Sequence, residues 1–260
     1  MFGVRILSDK ILLSVITPCY NEENNVNELY KRVCAVLEQH SNYDFEFLFV
    51  DNASTDSTLE VLKVLAERDP RVKIIVNNRN FGHIRSPYWG ITQTVGAATI
   101  YLASDLQDPP ELISAFIKAW EEGSKVVMAT KPVDPKSSWV MRFLRNKYYQ
   151  LMDKLSDIRL VRDVNGFGLY DKTVLDRVRE VNDPYPFLRG LICELGYETK
   201  LIPFDQQRRL SGVSKNNFYS LFDIAVLGII SHSSIPIRLA SFLGFIVGAI
   251  SILIAFMFLV

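Results

Sequence analysis

The first 130 residues of this 260-residue chain alternate between short apolar runs and amphipathic stretches, and that alternation restricts the fold more than any other feature. Leu12–Ile16, Phe45–Val50, Val72–Val76, Thr99–Ala103 and Lys125–Ala129 read as buried strands. Helices are expected between them. Asn25–Gln39 carries Val26, Leu29, Val33, Val36 and Leu37 on one face, and Ser57–Arg68 opens on a Ser57-x-x-Glu60 capping box. A third helix, Ser86–Ala97, has Pro87 at its start, although Gly90 and Gly96 are poor helix formers. A fourth spans Pro110–Glu121, with Asp108 as its cap and Pro109 at its first position. Strands and helices in this order imply an α/β domain with a mostly parallel sheet and helices on both faces. After Asp134 the pattern changes to a long basic helix (Ser138–Leu155), a glycine-interrupted strand (Asn165–Asp171), helices at Thr173–Arg179 and Pro186–Leu195, and a strand at Glu198–Phe204.

Each of the first four strands ends in a polar loop. These are Thr17-Pro18-Cys19-Tyr20-Asn21-Glu22-Glu23, Asp51-Asn52-Ala53-Ser54-Thr55-Asp56-Ser57, Asn77-Asn78-Arg79-Asn80-Phe81-Gly82, and Ala103 to Glu111. One such loop is an ordinary turn. Four at the carboxyl ends of parallel strands favour a ligand crevice, because that edge is where open α/β sheets bind ligands. In the fourth loop, Asp105 and Gln107 supply hard oxygen donors, with Asp108 close by, which suits Mg²⁺ or Mn²⁺ beside a phosphorylated ligand. Asp51 can accept from a nucleotide base, and Tyr20 or Pro18 can pack on its face. No G-x-G-x-x-G, G-x-x-x-x-G-K-[ST] or G-x-S-x-G is present, which argues against a dinucleotide cofactor, a P-loop nucleotidase and an α/β-hydrolase.

Composition narrows the partners. Lys and Arg total 29, as do Asp and Glu, so no basic footprint points to nucleic acid. Cys19, Cys34 and Cys193 are odd in number and far apart, which fits a reducing compartment rather than a disulfide framework. His40, His83 and His232 are scattered and read as structural. Met1–Lys10 is interrupted by Arg5, Asp9 and Lys10 and does not resemble a signal peptide. Leu239–Val260, by contrast, contains no charge. As a helix it would extend about 33 Å, enough to span a hydrocarbon core. The chain stops at this helix with no polar tail, so a longer protein with further membrane helices is expected. Phe218–Ile230 is too short to span and reads as an interfacial helix.

The segments SVITPCYNEENNV, FVDNASTDST, NFG and SDLQDPPELI resemble family 2 glycosyltransferases of the GT-A (Rossmann-like) fold. They are most similar to the polyprenyl-phosphate glycosyltransferase group, which includes dolichyl-phosphate mannose synthase and the bacterial undecaprenyl-phosphate glucosyltransferases. Arg189-Gly190-Leu191 and Arg209-Leu210-Ser211-Gly212-Val213-Ser214-Lys215 resemble that group's RGL and R-x-x-G-x-S-K motifs. The resemblance covers about residues 12 to 260. It implies a GT-A catalytic domain over residues 1–210, an acceptor loop and interfacial helix over 211–236, and a transmembrane helix over 237–260. It further implies inverting, Mg²⁺- or Mn²⁺-dependent transfer from a nucleotide diphosphate sugar, UDP-sugar first, to a polyprenyl phosphate. Pro18, Tyr20, Asn21, Glu22, Asp51, Ser104 and Asp105 would bind the nucleotide, and Asp105 and Gln107 the metal. Asp105, Arg209 and Lys215 would carry catalysis, while Arg208, Arg209, Ser214 and Lys215 would face donor and acceptor phosphates. Arg208 also fits a juxtamembrane patch meeting anionic lipid. The catalytic domain would lie on the cytoplasmic side of a bacterial inner membrane. A homo-oligomer is a further expectation, because related membrane glycosyltransferases assemble.

Three positions depart from the group's pattern. Ala103 replaces the first Asp of an Asp-x-Asp metal motif, Asn52 the second Asp of a VDD motif, and Gly166 the Asp of a GDF motif. They motivate a different reading, a non-catalytic membrane scaffold that kept the fold. A third reading is a processive polysaccharide synthase, because Gln206-x-x-Arg209-Leu210 resembles the Q-x-x-R-W motif of those enzymes.

Overall fold

The computed structural model describes residues 10–131, 139, 143, 147, 150, 161–181, 183, 186–205, 226–227, 230, 233 and 235–259. By its internal contacts the chain separates into two compact units. One comprises Met1–Lys136 and Val161–Ser214, the other Ser137–Leu160 and Lys215–Val260.

The first unit is built on a seven-stranded sheet. Its strands are β1 (Ile11–Cys19), β2 (Tyr43–Asp51), β3 (Val72–Val76), β4 (Ala98–Tyr101), β5 (Val126–Thr130), β6 (Val164–Asp171) and β7 (Thr199–Pro203), in the order β3-β2-β1-β4-β6-β5-β7. All neighbouring strands run parallel except β6, which is antiparallel to both β4 and β5. The expected mostly parallel sheet is therefore present, with one reversed strand that the sequence pattern did not disclose. The reversal brings the amino end of β6 to the edge where β4 and β5 have their carboxyl ends.

The helices cover both faces. On one side α1 (Val26–Leu37), α2 (Thr58–Arg68) and α4 (Ile113–Glu121) pack on Leu13, Val15, Phe47, Phe49 and Val127. On the other, α3 (Gly82–Thr92), α5 (Lys172–Val181) and α6 (Leu188–Glu194) pack on Ile16, Val50, Val126, Met128 and Tyr170. Leu13 and Val15 face one cluster and Ile16 the other, as successive strand side chains must.

Helix boundaries differ from expectation in three places. Helix α3 spans Gly82–Thr92 rather than Ser86–Ala97, and Pro87 lies inside it. Gly82 has φ +81°, which lets the chain leave the third loop into the helix four residues early. Gly90, a poor helix former in isolation, is required by packing. A Cβ there would lie 2.6 Å from both Ile16 Cδ1 and Val50 Cγ2. The Ser57–Glu60 box does not cap α2: Ser57 makes no side-chain cap bond. The first-turn amides of Ser57 and Thr58 instead donate to Glu23 Oε2 (2.9 Å) and Asp56 Oδ1 (3.0 Å). Finally, Pro110–Leu112 forms a 3₁₀ turn before α4, and Asp108 is no cap, since its carboxylate is directed elsewhere.

In the second unit α7 (Ile235–Leu259) is the principal described element. Its Ile237–Phe258 portion is 22 residues long with mean hydropathy 2.5, long and apolar enough to cross a membrane. Of the helix expected over Ser138–Leu155, the described residues Trp139, Phe143, Lys147 and Gln150 are helical. Of the interfacial helix, Val226, Leu227 and Ile230 are helical, and the rest lies outside the described residues.

Candidate active site

The central strand β1 pairs with β2 on one side and β4 on the other, so three of the polar loops emerge side by side. Cys19 and Asp51 are register partners at the ends of β1 and β2. Beyond them the two loops are laced together. The Asn21 amide donates to Ser54 Oγ (3.0 Å), and Asn21 Oδ1 accepts the Thr55 amide (2.7 Å). The Glu22 amide donates to Thr58 Oγ1 (2.7 Å), and Asn25 Nδ2 donates to Glu22 Oε2 (2.6 Å). Asn21 holds φ 56°, a left-handed value that asparagine tolerates better than most residues. Asp51 is 1% exposed and accepts the Ser54 amide. Pro18 and Tyr20 are half-buried on the same edge. Cys19 is fully enclosed, and burial, reinforced by Glu22 and Asp51, pushes its thiol pKa far up, so it is a packing residue rather than a nucleophile.

Asn52 joins the second loop to the third. Its Nδ2 donates to Asn80 Oδ1 (2.9 Å) and Gly82 O (3.3 Å), while its Oδ1 accepts from Asn77 Nδ2 (3.0 Å) and the Phe81 amide (2.9 Å). Two donations and two acceptances need a carboxamide; an aspartate offers no donor. This departure from the family pattern thus has a structural cause.

In the fourth loop, Ser104 is buried, and the half-buried Asp105 accepts the Gln107 amide on Oδ1 (3.2 Å). Leu106 between them has φ 57° and is wholly buried, which pins the turn beneath the two polar residues. Asp108 turns inward. It is 2% exposed, and both of its oxygens accept from Asn165 Nδ2, at 3.0 and 2.7 Å. Lys131 Nζ stands 4.0 Å from Asp108 Oδ1. Desolvation raises the Asp108 pKa and lowers that of Lys131, with the two charges opposing both shifts. The role considered for Asp108 beside the metal on the open edge is therefore replaced by an interior contact.

Pro18, Tyr20, Asn21, Glu22, Asp51, Ser104, Asp105 and Gln107 are thus gathered on one edge of the sheet. Arg208, Arg209, Ser214 and Lys215 lie outside the described residues. Asn165 and Lys131 were not singled out by sequence. Asn165 reaches the edge because β6 is antiparallel, and Lys131 because it follows the carboxyl end of β5, where its amide donates to Asp163 O (2.9 Å). Gly166, beside them, has φ +96°, so an L residue there would be strained. Arg189 of the RGL segment donates to Val164 O (2.6 Å), tying α6 to the start of β6.

The fold is an α/β domain whose polar loops meet at the carboxyl edge of a mostly parallel sheet. Residues 14–179 match the glycosyl transferase family 2 model, and the chain belongs to that family of glycosyltransferases. Similar proteins include the uncharacterized glycosyltransferase YkcC of Bacillus subtilis, 33% identical over 97% of this chain and 78% of the relative. The bactoprenol glucosyl transferase of Shigella phage SfX is 30% identical over 93% of this chain and 79% of the relative. Among solved structures, Mycobacterium tuberculosis glucosyl-3-phosphoglycerate synthase, in complex with Mn²⁺, UDP-glucose and phosphoglyceric acid, aligns with TM-score 0.56. It is 12% identical and covers 85% of this chain and 79% of its own. Staphylococcus aureus TarS in complex with UDP-GlcNAc aligns with TM-score 0.51 at 16% identity, over 85% of this chain and 67% of its own.

Proposed function

We propose that this glycosyltransferase moves a sugar from a nucleotide diphosphate sugar, UDP-sugar first, to a polyprenyl phosphate at a membrane, with inversion. The observation that carries the reading is the placement of the Asp105–Gln107 turn on the same sheet edge as the buried Asp51. The bactoprenol glucosyl transferase relatives support the lipid acceptor, and the apolar Ile237–Phe258 helix supports the membrane.

The residues fit a hard divalent ion. Asp105 and Gln107 offer oxygen donors. Among the described residues no group of three or more His, Cys, Asp and Glu is gathered for a metal. Mg²⁺ or Mn²⁺ would therefore complete its shell with diphosphate and water oxygens. When bound, such an ion supplies charge stabilisation to the departing nucleotide diphosphate. The chain's own part is to seat the base against Asp51, Tyr20 and Pro18, with Asn21, Glu22 and Ser104 in the same cradle. Arg208, Arg209, Ser214 and Lys215 are assigned to the donor and acceptor phosphates. A phosphate monoester acceptor has a second pKa near about 6 and is mostly dianionic at neutral pH, so it needs no general base. Gly166 in place of a carboxylate is compatible with that chemistry. In this assignment residues 1–210 catalyse, 211–236 meet the acceptor at the membrane surface, and 237–260 span it. The donor side is cytoplasmic, in a bacterial inner membrane, and the enzyme is a homo-oligomer.

The test is a screen of nucleotide sugars against undecaprenyl phosphate with detergent-purified protein, read by mass spectrometry with and without EDTA. A singly glycosylated lipid formed only with divalent metal is expected. A polymeric product would mean a processive synthase. Absence of both transfer and nucleotide-sugar binding would mean a scaffold.

A further inference from the structure

The buried Asp108–Asn165–Lys131 contact lies directly behind the turn assigned to the donor phosphates, and nothing in the proposed chemistry uses it. Asp108 is the first residue after Gln107, Asn165 is the second residue of β6, and Lys131 follows β5. Three separate chain segments thus converge on one carboxylate that is 2% exposed. Lys131, whose side chain is 27% exposed, also feels Asp105, which favours its charge, and Arg189, which opposes it. Its ammonium stands 4.0 Å from the interior carboxylate. A lysine stem has several rotatable bonds, and fixing it in one place requires a partner. Phe204, with its ring centroid 6.0 Å from Nζ, borders it on another side.

We infer that Asp108 is a positioning residue for the transfer reaction, holding Lys131 and Asn165 at the phosphate edge behind Asp105. This rests on the glycosyltransferase reading above. Ala103 gives this edge one carboxylate fewer than an Asp-x-Asp loop would. A cation fixed on Asp108, the residue after Gln107, therefore weighs more in the local charge balance. The role asked of Asp108 is geometric: a misplacement of about 1 Å in a charged group facing the reacting phosphates can cost on the order of 10²-fold in rate.

The experiment is a double-mutant cycle on the full chain with Asp108→Asn, Lys131→Met and the pair, measuring kcat and KM for the nucleotide sugar together with the melting temperature. Asp108→Asn is expected to lower kcat about 10- to 100-fold, consistent with that scale of misplacement, while the donor KM moves little. In the Lys131→Met background the same substitution should cost almost nothing further, because its effect passes through the lysine. Should Asp108→Asn destabilise the fold, the polarity swap Asp108→Asn with Asn165→Asp keeps one carboxylate in the contact and should recover most of the lost kcat. Wild-type kcat in folded Asp108→Asn, or full additivity with Lys131→Met, would overturn the inference and leave the functional reading standing. Wild-type protein that transfers no sugar at all would remove the functional reading and this inference with it.

Discussion

Asn52 Nδ2 lies 2.9 Å from Asn80 Oδ1, and this contact anchors the third loop to the end of β2. Asn52 is 6% exposed, and the other three hydrogen bonds of its side chain go to Gly82, Asn77 and Phe81 of the same loop. Asn52→Asp, the change toward the VDD pattern, removes both donations and sets a carboxylate oxygen against two acceptors. Such a buried mismatch costs roughly 1–3 kcal/mol. A lower melting temperature is expected, with weakened nucleotide binding, since Asp51 is its neighbour. Unchanged stability in differential scanning calorimetry would contradict the network.

A similar restoration at Gly166 should fail for a backbone reason. Its φ of +96° lies in a region that side-chain-bearing residues avoid. The nearest atoms a Cβ would meet are those of the Tyr101 ring, at 3.8 and 3.9 Å, so space is adequate and conformation alone is limiting. Gly166→Asp and Gly166→Ala should both lose about 1–3 kcal/mol, the cost of a residue held in a sparsely populated region. If Gly166→Asp melted with wild type and gained activity, the position would be open to an acidic residue after all.

The alternation of strands and helices up to residue 130 was legible because each element carries its own period: Val26, Leu29, Val33 and Val36 are buried on α1 as spaced. The polar loops were legible because parallel strands deliver their carboxyl ends to one edge. What sequence could not supply was the sense of β6. Its run Val164–Asp171 is buried almost throughout, and such a run looks the same in either direction. Asn165 therefore stayed hidden, Lys131 carries no local signal although its strand was legible, and Asp108 read as a helix cap because Asp-Pro-Pro-Glu carries that local signal. The burial of Asp108 depends on β6, far away in sequence. Likewise, the Ser57–Glu60 box lost to Asp56 and Glu23, and Glu23 comes from the preceding loop.

Acid sensitivity should appear at Asp69. Its carboxylate accepts from Arg71 Nε and Nη2 (3.0 and 2.8 Å) and from Tyr30 Oη (2.7 Å), and the Arg71 bonds hold its pKa down at about 2. A depressed carboxylate pKa stabilises the fold above the unfolded value near about 4 and loses that contribution as pH falls toward the folded value. The window is thus from about pH 4 down to about 2. Because Arg71 is 44% exposed, the contribution is about 1 kcal/mol rather than the full shift. Asp69→Asn should be less stable than wild type at pH 7, and the gap should close on acidification through that window. A gap that stays constant with pH would show that the carboxylate charge is not what stabilises.

The donor turn has its own test, distinct from that of the lipid acceptor. Asp105→Ala removes a half-buried carboxylate from a turn at the sheet edge whose Leu106 is wholly buried, and the fold should persist with little change in melting temperature. Loss of a hard ligand to an ion held by few protein oxygens should abolish Mn²⁺-dependent binding of a nucleotide sugar in calorimetry. Gln107→Ala, which removes a neutral donor, should weaken binding less, on the order of 10-fold, within the range of lost outer or weaker ligands. Nucleotide-sugar binding that survives both EDTA and Asp105→Ala would overturn the metal assignment.

The apolar helix is tested by a single charge. Within the Ile237–Phe258 helix, Leu239–Phe258 contains no acidic or basic residue, and its described large side chains are exposed: Phe245 at 79% and Val247 at 62%. A soluble core helix would bury such a face, and an interfacial helix would carry a polar one. Val247 sits near the middle of the stretch, where a bilayer would be deepest. Val247→Arg would place a guanidinium there at a cost of about +2.5 to +3.5 kcal/mol on the insertion scale. The substituted protein should shift from the carbonate-resistant membrane fraction to the soluble or aggregated one, while Ser251→Arg, one turn nearer the end, should shift less because its side chain can snorkel outward. Equal membrane retention of wild type and Val247→Arg would mean that the helix does not reside in the hydrocarbon core.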